Sequence, residues 1–134
     1  MAKILTLEIV TPERILLQEE AHSVIVPATE GSLGLLPNHA PIITGLQPGV
    51  VKYRQNADLR VLAIGGGFME VSHNKVSILA DSAEKPEEID VERAESAKDR
   101  AERRLKEPPP GLDVHRAELA FHRAMARLRA AEYK

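Results

Sequence analysis

Two hydrophobic periods divide the chain. From residue 1 to about residue 81, short stretches rich in Ile, Val and Leu recur between Gly, Pro and Asn, the signature of strands broken by turns. The pattern predicts strands near Lys3–Val10, Ile15–Glu19, His22–Val26, Ile42–Leu46, Gly49–Tyr53, Arg60–Ile64, Phe68–Ser72 and Lys75–Leu79. Lys75-Val76-Ser77-Ile78-Leu79 alternates as a strand with one wet face does. Short strands with no helical period between them favour a sandwich or a barrel. The stretch Glu30 to Pro41 breaks the rhythm, and its Leu33, Leu35 and Leu36 sit among glycines and prolines. It reads as an irregular loop folded back on the sandwich. Gly65-Gly66-Gly67 reads as a bend between close-packed strands.

Near Asp81–Glu88 the period changes from 2 to 3.6. Asp90 and Asp113 are placed to cap two helices of about 17 and 20 residues, separated by Pro108-Pro109-Pro110-Gly111, which no helix continues through. On a helical wheel Val91, Ala94, Lys98, Ala101 and Leu105 share a face of the first helix. Val114, Ala117, Phe121, Ala124, Met125 and Leu128 share a face of the second. Alanine at such positions lets backbones approach closely, so the expectation is an antiparallel two-helix hairpin that is only marginally stable alone. The helices echo each other: Asp90, Val91, Arg93, Ala94 and Arg100 recur, with others, 23 residues later. Duplication and shared composition both account for this. The fold class is therefore α+β, with a β-sandwich over 1–84 and a helical hairpin over 85–134.

Composition narrows the chemistry. An apolar content of 43% with no Trp, two Phe and two Tyr makes the core aliphatic. Residues 1–89 carry 7 Lys/Arg against 11 Asp/Glu, and the remaining residues 11 against 9. Neither part has the basic excess of a nucleic-acid binder. Absent cysteines exclude disulfides and thiolate chemistry. No metal-ligand spacing joins the five histidines, and no serine sits in a nucleophile elbow. An autonomous enzyme is not expected. No apolar run approaches the ~20 residues of a membrane span, and the N-terminus lacks a signal-peptide core. These features suggest a soluble cytoplasmic protein.

The arginines fall into two kinds. Arg103 follows Asp99 by four residues and Lys106 follows Glu102 by four, the favourable order for helical ion pairs. Arg100, Arg123 and Arg127 have no acidic residue three or four positions away. A hairpin turning near the prolines sets Arg93 between Arg123 and Arg127, with Asp90 close by. Converging guanidiniums suit a polyphosphate. Solvated arginines leaning on glutamates fit equally well, and the residues alone leave both readings open.

The chain also resembles a known family, the epsilon subunits of bacterial F-type ATP synthases. The resemblance is carried by Ile9-Val10-Thr11-Pro12, by Glu30-Gly31-Ser32-Leu33-Gly34-Leu35-Leu36-Pro37-Asn38-His39-Ala40-Pro41, by Gly66-Gly67-Phe68-Met69-Glu70-Val71 and by Ile89-Asp90-Val91-Glu92-Arg93-Ala94. It implies a ten-stranded β-sandwich followed by the hairpin, in a non-catalytic rotor subunit at the cytoplasmic face of the cell membrane. By the resemblance the sandwich sits on the gamma subunit and the c-subunit ring, with Glu30 and His39 as c-ring contacts. The hairpin would restrain ATP hydrolysis when it extends toward the alpha and beta subunits, with Arg103, Arg104, Arg116 and Arg129 as donors to beta. The Ile/Leu-Asp-x-x-Arg-Ala motif at Ile89–Ala94 implies regulatory ATP, with or without Mg²⁺. By the resemblance Arg93, Arg123 and Arg127 would grip phosphates and Glu84 and Asp90 would hold the base, ribose or arginine geometry, beside Ile89 and Ala94 of the motif. Arg100 joins the expected site as the remaining unpaired arginine. The Pro108–Pro110 turn departs from the polar turn expected of the family and would stiffen the hairpin.

Overall fold

The computed structural model describes residues 4–134, so Lys3, the first residue of the first expected strand, lies outside them. Among the described residues eight strands are formed: β1 (Leu5–Val10), β2 (Ile15–Ala21), β3 (Ser23–Ala28), β4 (Gly31–Leu35), β5 (Ile42–Gln55), β6 (Asp58–Ser72), β7 (Lys75–Ala80) and β8 (Ala83–Glu84). They hydrogen-bond in the order β2-β1-β7-β6-β5-β3-β4, with β8 added to β6. All neighbours are antiparallel except β1 and β7. Leu5, Leu7 and Ile9 of β1 and Val76 and Ile78 of β7 point inward, fully buried, as the two-residue period requires.

The expected count of ten becomes eight because two pairs of predicted strands are continuous. Ile42–Leu46 and Gly49–Tyr53 are one strand of 14 residues, and Arg60–Ile64 and Phe68–Ser72 are one of 15. The inward face changes parity along each. Leu46 is buried in the first half of β5 but Val51 and Tyr53 in the second, and β6 changes from Leu62 and Ile64 to Met69 and Val71. This flip falls at Gln47-Pro48 and Gly65-Gly66-Gly67, where the paired strands bend from one layer of the sandwich to the other. Gly66 and Gly67 have φ of +101° and +142°, and a Cβ on Gly67 would collide with the Leu79 carbonyl. The bend expected at the glycine run is present.

The segment 30–41 is also more regular than expected. Its first half is β4, paired with β3 through a turn that ends at Gly31, φ +126°. Leu35 is buried and Leu33 packs on the core, whereas Leu36 stays exposed. His73 and Asn74, both at positive φ, make the tight turn between β6 and β7.

A short 3₁₀ turn (Pro86–Glu88) leads to α1 (Val91–Lys106) and α2 (Val114–Ala131). Asp90 and Asp113 accept hydrogen bonds from the amides of Arg93 and Arg116, so both predicted caps form. Ala94 and Ala101 of α1 and Ala117 and Ala124 of α2 are the buried residues between the helices. A second buried face of α2, absent from the wheel reading, docks the hairpin on the sandwich. Ala126 and Ala130 pack there against Val61, Ala63 and Ile89. Two-sided burial explains why alanine fills both faces of α2: a larger side chain would push it from one neighbour or the other.

Candidate anion cleft and partner surfaces

The junction between the 3₁₀ turn, α1 and α2 holds a cleft of about 260 Å³, lined by Glu84, Glu88, Asp90, Arg93, Ala94 and Arg127. Glu84 ends β8, Asp90 caps α1, and Arg93 lies on the first turn of α1. Arg127 rises from α2 between the two docking alanines. Five of the eight residues expected at a nucleotide site therefore converge. Arg123 lines an adjoining crevice with Gly65, Ser82, Glu84 and Arg127. Ile89 is buried beneath, in the contact that docks α2, and Arg100 is exposed on α1 outside the cleft lining.

Arg127 is not the unpaired cation that its helix suggested. Its Nε donates to Glu84 Oε1 at 2.5 Å. The partner is 43 residues away, invisible to any count along one helix. The same limit hid a second pair. Arg14, in the turn between β1 and β2, donates through Nη2 to both oxygens of Glu88, at 3.0 and 2.8 Å. Glu88 Oε1 also accepts the Lys85 amide at 2.8 Å. That amide holds the Glu88 carboxyl below its usual 4.5, partly opposed by desolvation and reinforced by Arg14. Lys134 Nζ donates to the Ile89 carbonyl at 2.9 Å, bringing the end of the helical region back to its beginning.

Elsewhere on the hairpin, Lys106 pairs with Glu102 at 3.4 Å as expected. Arg103 instead reaches the Asp99 carbonyl. Arg103, Arg104, Arg116 and Arg129 are all exposed. On the sandwich, Glu30 directly precedes β4 and His39 lies in the loop that follows it. Asn38 ties the following loop to the β6–β7 turn through the Asn74 side chain.

One row crosses the outer face of the sheet: Gly45, Phe68, Leu79, Val10 and Ile15 are successive cross-strand neighbours. Phe68, Leu79 and Ile15 are each more than half exposed. Three large apolar side chains aligned on one solvent face mark a contact surface better than scattered ones do. Tyr53, by contrast, is buried, donates to Glu19 at 2.9 Å, and has its pKa pushed far up by burial and that carboxylate. It is a satisfied structural phenol.

The family is decided by two matches that together span nearly the whole chain. Residues 4–86 match the beta-sandwich domain of the ATP synthase delta/epsilon chain, and residues 87–132 match its long alpha-helix domain. The chain belongs to the ATP synthase delta/epsilon family. The ATP synthase epsilon chain of Moorella thermoacetica is 61% identical over 105 residues, covering 77% of this chain and 78% of that one. The epsilon chain of Desulfitobacterium hafniense is 51% identical, covering 78% and 80%. The fold is similar to that of a chain in the cryo-EM structure of Euglena gracilis mitochondrial ATP synthase, OSCP/F1/c-ring. There the TM-score is 0.83 at 24% identity, covering 98% of this chain and 83% of that one. A member of this family is a non-catalytic subunit of the larger enzyme. Among the described residues no helix is long and apolar enough to cross a membrane.

Proposed function

We propose that this chain is a central-stalk rotor subunit that couples the gamma subunit to the c-subunit ring and regulates ATP hydrolysis through its helical hairpin. It would sit peripherally at the cytoplasmic face of the membrane. The related folds support the first part, since they come from structures described as OSCP/F1/c-ring and as central stalk/c-ring. The row Phe68, Leu79, Ile15 suits a stable subunit contact, gamma being the partner meant. Glu30 and His39 are the proposed c-ring contacts.

The regulatory part rests on one observation: the hairpin is docked by a small, separate cluster and not by the sandwich core. It can therefore leave without unfolding its host. Extended, it would offer Arg103, Arg104, Arg116 and Arg129 to an acidic surface of the beta subunits. ATP acts in the opposite sense. A phosphate chain gripped by Arg93 of α1 and Arg127 of α2, with Arg123 beside them, ties both helices and the linker together. A ligand that binds only the docked form stabilises it by mass action. Glu84, Asp90 and Ala94 would face the rest of the nucleotide, and Mg²⁺ would accompany the phosphates if bound.

A second reading has an observation in its favour. Arg127 is already paired, and the cleft's lining holds three carboxylates against two guanidiniums. In a purely coupling subunit these would be structural ion pairs. Calorimetric titration of ATP into the purified chain separates the readings. Saturable binding that weakens at least tenfold in Arg93→Ala plus Arg127→Ala is the expected result. Heat of dilution alone, with unchanged ATP dependence of hydrolysis in a complex lacking residues 90–134, would leave only the coupling role.

A further inference from the structure

The cleft is bounded by the hairpin, its linker and the end of β8, and one of its walls is held from a distant turn of the sandwich. Glu88 lies in the lining, and its carboxylate is engaged by Arg14, which belongs to the turn joining β1 to β2 and lies 74 residues away in sequence. That turn is itself fixed, because Thr11 and Arg14 exchange backbone hydrogen bonds at 2.9 and 3.3 Å. Thr11 is also nearly buried. Arg14 thus stands on a rigid base, and its Nη2 meets both Glu88 oxygens.

The carboxylates of Glu84, at the end of β8, and of Glu88, in the linker turn, then differ. Glu84 is bound by Arg127, a residue of the cleft itself, so its pair contributes no net charge to an entering anion. Glu88 would add a full negative charge at the lip if its partner were lost. With both pairs intact, Asp90 stands against Arg93 in the cleft and Arg123 in the adjoining crevice, and the balance over the two favours an anion. Without Arg14 that balance falls to zero.

We infer that Arg14 is a positioning residue of the anion cleft, a part of the sandwich that neutralises Glu88 and so lets the hairpin accept a phosphate chain. This rests on the nucleotide reading above. It makes ligand binding a property of the docked whole: a hairpin lifted away from the β1–β2 turn loses Arg14 and gains a repelling carboxylate.

The test is titration of ATP, and of tripolyphosphate as a probe without a base, into the full chain and three variants. Arg14→Gln should bind both ligands roughly threefold to fivefold more weakly, the scale of one partly exposed ion pair. Arg14→Gln plus Glu88→Gln should return to within about twofold of the parent, and Glu88→Gln alone should bind at least as tightly as the parent. A merely structural Arg14 would not be rescued by removing a second charge. Parent-like binding by Arg14→Gln overturns the inference and leaves the nucleotide reading standing. Weakening that the double variant does not relieve also overturns it, because Arg14 then acts through the shape of the turn. Absence of binding by the parent chain removes both.

Discussion

The sandwich and the hairpin are held by different means. Among the described residues the sandwich buries 21 in one cluster, mostly Leu, Ile and Val. The hairpin docks through five, of which three are alanines, and its two helices meet through four more alanines. A buried Ala contributes one methyl where a Leu contributes four carbons, so the area removed from water per contact is small. The hairpin compensates with polar ties, Arg127 to Glu84 at the end of β8 and Lys134 to the Ile89 carbonyl of its linker, while Arg14 of the sandwich holds Glu88 of that linker. The first region rests on a broad aliphatic core and the second on a narrow contact.

The strongest test of this contrast is truncation in the sandwich core. Leu7→Ala, at a fully buried position, should cost about 2–5 kcal/mol of global stability. Urea unfolding should show both regions lost together, since the hairpin has no other surface to dock on. Next is Ala130→Asp, which forces a charge into a contact with no exposure. Uncompensated burial of that kind costs about 3–5 kcal/mol, larger than the dock can bear. Amide exchange in α1 and α2 should accelerate by more than a hundredfold while the strands keep their protection. Equal loss of protection in the strands would show one cooperative unit and break the comparison. Smaller is Glu84→Gln, which removes a partly exposed pair and should loosen the dock by about 1 kcal/mol or less, read as a modest rise in helix exchange at low salt. The least effect is that of pH. The Glu88 carboxyl is held below 4.5 in the folded chain. Its contribution is therefore complete above that pH and fades as the pH falls through the depressed value. Docking should weaken on acidification below about 4.5, and Glu88→Gln should show less of this dependence.

What could be read from the sequence followed the reach of each signal. Period, caps and breakers act over a few residues, so the class, the change of period and both helix caps were legible. The β5–β6 ribbon was not, because its inward face changes parity at the glycines and the pattern looks like four short strands. The strand β4 was hidden by its own glycines, which weaken strand propensity although the ladder with β3 forms. Ala126 and Ala130 carried no signal in a helix already rich in alanine. At the cleft, the motif from Ile89 to Ala94 located the residues, but their partners were out of reach. Glu84 with Arg127 and Arg14 with Glu88 are pairs made by tertiary structure alone.

The bond from Lys134 to Ile89 has a mechanical meaning. It gathers both ends of the hairpin at one spot beside the contact made by Ala126 and Ala130, while the proline turn stands at the far end of α1. The 16 residues of that helix span about 24 Å. The hairpin is thus a lever with its fulcrum at the dock. A partner brushing the proline tip loads the contacts one after another, as tape is peeled, and does not have to shear them all at once. A small force at the tip is then enough to open the joint, and the stiffness of Pro108-Pro109-Pro110 delivers that force to the fulcrum with little lost in bending.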